Sequence, residues 1–252
     1  MKQTIFAALV AVLPALPAFA GQTNVAVAAN FTEPATEIAK LFEQQTGHKA
    51  VLSFGATGQF FTQITQGAPF EVFLAADNIR PEKAVQDGYG VPGTVFTYAI
   101  GQLVLWSKDP ALVTGPEVLK SDAFHKIAIA DPATAPYGLA AVQTMTSLGV
   151  EEALRPKIVQ GTSIGQTLQF VETANAELGF VALSQVIAKQ EGSRWIVPAG
   201  DHEPILQDAV LLKTGESNEA ARAFLDFLKG PEAAAVIERF GYALAKDGVP
   251  AN

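Results

Sequence analysis

TVFTYAIGQLVLWS, residues 94–107, is a β-rich run with Gly101 near its middle, and it is more than twice the ~5–6 residues of an ordinary strand. It reads as a strand that leaves one domain, bends at Gly101 and enters a second domain. Upstream, short apolar runs alternate with amphipathic stretches. NVAVAA (24–29) precedes a helix in which Ala35, Ile38, Ala39 and Phe42 recur at helical spacing and Gly47 supplies the stop. KAVLSF (49–54) precedes a helix carrying Phe60, Phe61 and Ile64, and FEVFLAAD (70–77) precedes a short helix near Pro81–Asp87.

Downstream the grammar repeats. KIAIAD leads into YGLAAVQTMTSLG, KIVQ into IGQTLQFVETA, and LGFVAL into SQVIAKQ. ILQDAVLLK (205–213) then reads as a return to the first domain, followed by two helices, each closed by glycine and the second opened by Pro231. Alternating strands and helices give an α/β fold with mostly parallel sheets. Crossings near residues 100 and 205 divide the chain into lobe 1 (21–100 and 206–252) and lobe 2 (101–205), with a cleft between them.

Residues 1–20 are set apart from the fold. Lys2, an apolar run and Ala18-Phe19-Ala20 make an export leader with an A-x-A cleavage pattern. The run is too short for a membrane span, and with no cysteine there is neither a disulfide framework nor a lipid-bearing Cys. The expectation is a periplasmic protein that diffuses freely. Of 17 basic side chains, one is Lys2, so the mature chain sets its remaining basic groups against 25 acidic ones. That balance opposes nucleic-acid binding, and an anionic ligand has to be captured by local geometry against the overall field.

Ligands of open α/β sheets bind beyond the carboxyl ends of the strands. Four such junctions are alike: AANFTEP (28–34), SFGATG (53–58), DPATAPYGLA (131–140) and GTSIGQT (161–167). Each opens a helix, is rich in small or hydroxyl residues, and lacks Lys and Arg. Helix starts offer unpaired N–H groups and about half a positive charge, so each can hold an anion without a cation. Two fall in each lobe. Gly and Thr at a helix start are also ordinary turn and cap residues, so the argument rests on the set.

Other chemistries fare less well. After Gly58 come Gln59 and Phe60 rather than the lysine of a nucleotide phosphate loop. GTSIG (161–165) fits the G-x-S-x-G nucleophile elbow, which makes Ser163 a minor serine-hydrolase candidate. The only later histidine is His202, beside Asp201, an awkward arrangement for a triad. His48, His125 and His202 show no metal-ligand spacing. Glu33, Asp77 and Asp131 suit helix starts and turns. An organic-acid receptor would call for an arginine at the junctions, and none is there.

VAVAANFT, SFGATGQFFTQITQGAPFEVFLAAD, FTYAIGQLVLWS, APYGLAA, SIGQT, LGFVALSQ and FLKGPEAAAVIERFGY together resemble the periplasmic molybdate-binding proteins of ABC transporters, over essentially the whole mature length. The resemblance implies a two-lobed periplasmic-binding-protein fold of type II with two hinge crossings. It implies no enzymatic activity and no cofactor, a molybdate or tungstate ligand, an inner-membrane ABC permease as partner, and a monomer. It places the oxyanion on Ala29, Asn30, Thr57, Tyr137 and Ile164 through uncharged donors, with main-chain N–H groups at Ala29, Tyr137 and Ile164 and a hydroxyl at Thr57. No direct cation ligands are implied. Many members carry tyrosine where this chain has Ala182, and the Tyr137 hydroxyl is the expected replacement. Donor-only coordination suits fully deprotonated dianions and disfavours hydrogen phosphate, whose proton needs an acceptor. A receptor for sulfate or another oxyanion is the alternative.

Overall fold

The computed structural model describes residues 20–245. The leader read in residues 1–20 lies outside these but for Ala20, as do residues 246–252. The first part of the chain forms β1 (Gln22–Ala28), α1 (Thr32–Thr46), β2 (Lys49–Gly55), α2 (Thr57–Thr65), β3 (Val72–Leu74), α3 (Ile79–Gln86) and β4 (Phe96–Gly101). There follow β5 (Leu103–Ser107), β6 (Ile127–Ala130), α4 (Pro136–Ser147), α5 (Glu151–Leu154), β7 (Ile158–Gly161), α6 (Ile164–Glu172), β8 (Leu178–Ala182), α7 (Leu183–Val186) and β9 (Ser193–Ile196). The chain closes with β10 (Ile205–Leu211), α8 (Glu219–Leu228) and α9 (Pro231–Arg239).

Two five-stranded sheets result, in the orders β2-β1-β3-β10-β4 and β7-β6-β8-β5-β9. In the first, β1 pairs in parallel with β2 and β3, while β10 runs antiparallel to both β3 and β4. In the second, β6 is parallel to β7 and β8, and β5 is antiparallel to β8 and β9. Each sheet is therefore mixed, with a single reversed strand. That strand, β5 or β10, is the one on which the chain arrives from the other sheet. The reversal follows from the path: a chain that crosses directly into a sheet has no βαβ helix to carry it back to the parallel start.

The run at 94–107 breaks at Gln102, leaving β4 in one sheet and β5 in the other. Gly101 is needed here for close approach rather than for an unusual turn, because a Cβ on it would lie 2.1 Å from the Tyr137 hydroxyl.

Side-chain alternation then buries both faces of each sheet. Val25 and Val27 of β1 pack with Ile38, Phe42, Phe224 and Ile237 under α1, α8 and α9, while Ala26 joins Phe60, Phe73 and Ala84 under α2 and α3. In the second sheet Leu103 and Leu105 face α4, and Val104 and Trp106 face α6 and α7. α1 ends on Gly47 at φ 73°, whose N–H donates to the Glu43 carbonyl, as expected for a glycine C-cap. Because β1, β2 and β3 point one way and β6, β7 and β8 likewise, the strand ends that open helices collect on one edge of each sheet.

Candidate functional site

Those edges face each other around a small cavity. Lobe 1 contributes Ala28, Ala29 and Asn30 after β1, Gly55, Ala56 and Thr57 after β2, and Ala76 after β3. Lobe 2 contributes Ala135, Pro136 and Tyr137 at the start of α4 and Ile164 at the start of α6. All five residues expected to hold a ligand, Ala29, Asn30, Thr57, Tyr137 and Ile164, thus line one cavity. Among the described residues no Lys, Arg, His, Asp or Glu lines it.

Backbone geometry explains which donors face inward. The first N–H groups of a helix have no intrahelical acceptor, which leaves those of Thr57 in α2 and Ile164 in α6. In α4 the first position is Pro136, which has no N–H, so the first donor becomes Tyr137. Ala29 and Asn30 open a short 3-10 turn, Ala29–Phe31, directly after β1. In α6 the Ser163 side chain accepts from Gln166 N–H at 3.2 Å and fixes the helix start. Ser163 is thus a cap, and its hydroxyl pairs with backbone rather than with an imidazole.

The Thr57 hydroxyl is poised to donate. Ala76 N–H donates to its oxygen at 3.0 Å, the residue is 1% exposed, and among the described residues Thr57 donates to no acceptor. A buried hydroxyl whose lone pair is occupied and whose proton is free suits an anion.

Asn30 divides its functions. Its Nδ2 donates to Gln207 Oε1 at 2.8 Å and to the Tyr242 hydroxyl at 2.9 Å. Both side-chain protons are therefore used within the protein, and the donor that Asn30 offers the cavity is its main-chain N–H. Behind it lies a polar network that the sequence did not announce. Tyr242 Oη lies 2.8 Å from the Asn30 carbonyl and 2.9 Å from Ser184 Oγ, and Ser184 Oγ donates to that same carbonyl at 2.9 Å. Tyr98 Oη lies 3.0 Å from the Ala75 carbonyl and 3.2 Å from Gln207 Oε1. Gln207 Nε2 donates to the Tyr137 hydroxyl at 3.1 Å.

Tyr137, whose hydroxyl is the expected replacement for the absent tyrosine at Ala182, joins that network. Its phenol is turned toward Gly101 and Gln207 and accepts from the Gln207 carboxamide. Ala182 is fully buried and does not line the cavity. Burial raises the phenols of Tyr98 and Tyr137 well above the ordinary tyrosine range, and it pushes Tyr242 up to about 12. All three are neutral donors and acceptors at physiological pH.

Asp77 and Asp131 serve as structure. Asp77 Oδ1 accepts from Arg80 N–H at 2.8 Å, and Asp131 Oδ1 accepts from Ala133 N–H at 3.0 Å. His48 Nδ1 accepts from Gly21 N–H at 2.9 Å, and the His202 ring lies against the Glu203 carbonyl. Among the described residues no group of three His, Cys, Asp or Glu side chains is placed to hold a metal ion. The cavity can therefore accept an anion by dipoles alone, and its donors converge from both lobes.

Residues 23–243 match the family model described as bacterial extracellular solute-binding protein. The chain is 61% identical over 229 residues to molybdate-binding protein ModA of Rhodobacter capsulatus, covering 90% of each. Its fold superposes on the periplasmic molybdate-binding protein of Azotobacter vinelandii with a TM-score of 0.86 and 43% identity, over 89% of this chain and all of that one. The sulfate-binding protein SubI of Mycobacterium tuberculosis shares the fold at a TM-score of 0.74, with 12% identity, over 90% of this chain and 88% of that one.

Proposed function

The chain belongs to the bacterial extracellular solute-binding proteins, and from that premise we propose that it captures molybdate or tungstate in the periplasm and delivers it to an inner-membrane ABC permease. It acts as a monomer, without catalysis or cofactor. The observation that carries the reading is the cavity itself, where residues of four strand-to-helix junctions converge and, among the described residues, no charged side chain intrudes. A tetrahedral dianion without protons presents only acceptors, and these donors match it.

In this reading Ala29, Asn30, Tyr137 and Ile164 donate main-chain N–H groups, and Thr57 donates N–H and hydroxyl. The four junctions add the fractional positive charge of their backbone dipoles. In a buried setting these act at low dielectric and need no reorganisation. Lobe 1 comprises residues 21–100 and 206–252, lobe 2 residues 101–205, and a hinge at the two crossings closes the lobes on the ion. The exit of β4 into β5 at Gln102 and the buried Gln207 in β10 support that division.

Hydrogen phosphate is rejected because its proton finds no acceptor, a penalty of ~1–3 kcal/mol. Calorimetry of the dialysed protein against molybdate, tungstate, sulfate and phosphate tests the proposal. Tight binding of the first two, with phosphate silent, is the expected result. Sulfate binding as tightly as molybdate would replace this reading with the sulfate receptor.

A further inference from the structure

One residue beyond the cavity on each side, the lobes are joined directly. Gly58 N–H, next to Thr57 in α2, donates across the cleft to the Thr134 carbonyl at 2.8 Å. Beside it Arg80 Nη2 donates to the Ala133 carbonyl at 2.9 Å. Each half is also held by hydrogen bonds within its own lobe. On lobe 1, Asp77 accepts from the Arg80 main-chain N–H and pairs with its guanidinium. On lobe 2, Asp131 folds the turn that presents the two carbonyls: Oδ2 accepts from Thr134 Oγ1 at 3.0 Å, and its main-chain oxygen accepts from Ala135 N–H at 2.8 Å.

The approach leaves no room for a side chain. A Cβ on Gly58 would lie 2.9 Å from Thr134 Cα, 3.1 Å from its carbonyl oxygen and 3.1 Å from Arg80 Nη2. The first of these is backbone and cannot swing aside. Gly58 is therefore required by the closed contact, and its φ is not in the left-handed region.

We propose that Gly58 and Arg80 of lobe 1, with the Asp131–Thr134 turn of lobe 2, form an interlobe latch that sets how slowly a captured oxyanion leaves. The inference rests on the oxyanion reading above. These are positioning residues, because none of them reaches the ion. They hold Thr57 and Tyr137 at the spacing at which both contact it. Since the latch forms after the ion has entered, it governs dissociation and leaves association alone.

Stopped-flow binding of molybdate and of tungstate to the wild type, Gly58→Ala and Arg80→Met tests this. Gly58→Ala should raise the dissociation rate about tenfold and Arg80→Met about threefold, the scale of a lost interlobe hydrogen bond. Association should stay within about twofold. The factor should be the same for both anions, and the ligand-free melting temperature should not move. An unchanged dissociation rate in Gly58→Ala, or a loss confined to association, overturns the latch. If Gly58→Ala does not fold, Arg80→Met decides. A wild type that binds neither anion refutes the ligand reading instead. The latch, which rests on that reading, falls with it.

Discussion

Gln207 Nε2 donates to the Tyr137 hydroxyl over 3.1 Å, joining β10 of the first sheet to α4 on the second. The same carboxamide accepts from Asn30 Nδ2 through Oε1, with Tyr98 Oη also in reach. Gln207 is fully buried and sits where the β10–β4 register shifts. Cavity wall and hinge thus share one polar group, which ties the position of Asn30 to the angle between the lobes. Gln207→Leu keeps the volume but leaves three polar partners without it. The expected cost is about 2–4 kcal/mol of unfolding free energy, read as a lower urea midpoint at unchanged slope.

Tyr137→Phe separates the two functions of that residue. The main-chain N–H that faces the cavity is retained, and only the hydroxyl bound by Gln207 is lost. Oxyanion affinity should stay within about threefold, while stability falls by ~1–2 kcal/mol. Calorimetry beside thermal unfolding checks both numbers. A hundredfold loss of affinity with stability intact would mean that the phenol touches the ligand after all.

Thr57→Val removes a hydroxyl with little change of shape. Its oxygen takes the Ala76 N–H, and its proton is free for the cavity. A hydrogen bond to a charged partner is worth about 1.5–3 kcal/mol, so molybdate affinity should fall roughly tenfold to a hundredfold. Thr57→Ser keeps both interactions and should bind close to wild type. Equal binding by the valine and serine variants would show that the hydroxyl makes no contact with the ion.

The site was legible in the sequence to the extent that it is made of local backbone. A helix start announces itself through neighbours: Pro136 before Tyr137, Ser163 before Ile164, Gly55 and Ala56 before Thr57. The division at Gly101 was legible for a similar reason, since a run of that length has to break. The network behind the site was not. Asn30 and Tyr242 are 212 positions apart, Asn30 and Gln207 177 apart. Nothing in the local pattern of β10 marks Gln207 as more than a polar residue in a strand. Arg80 and Thr134 likewise meet only when the lobes do. Three of the four tyrosines in the chain, Tyr98, Tyr137 and Tyr242, join one buried network, a convergence that tertiary packing alone produces. The missing tyrosine at Ala182 drew attention to the Tyr137 hydroxyl as a ligand group, and its place beside Gly101 and Gln207 is again a product of tertiary packing.

Asp208, next to Gln207, supplies a pH dependence of defined sign. The residue is 5% exposed, and Thr97 Oγ1 donates to its Oδ1 at 2.6 Å. Burial raises its pKa above the usual aspartate value, against the opposing Thr97 hydrogen bond, and the charges of Glu82 and Asp77 push the same way. An unfolded aspartate titrates near ~3.9. Between that value and the higher folded one, the folded protein binds more protons than the unfolded chain. Stability therefore falls as pH rises through this window and is fully restored only below it. Asp208→Asn keeps an acceptor for Thr97 and removes the titration. Melting temperatures of both proteins from about pH 3.5 to 6 isolate the effect of Asp208 and its coupling to Glu82 and Asp77, because carboxylates that do not interact with it cancel in the difference. The wild type should lose ground to the variant steadily as pH rises and then hold a constant deficit. A flat difference across the window, or a wild type that gains on the variant, would mean that Asp208 is charged in the folded protein at no cost.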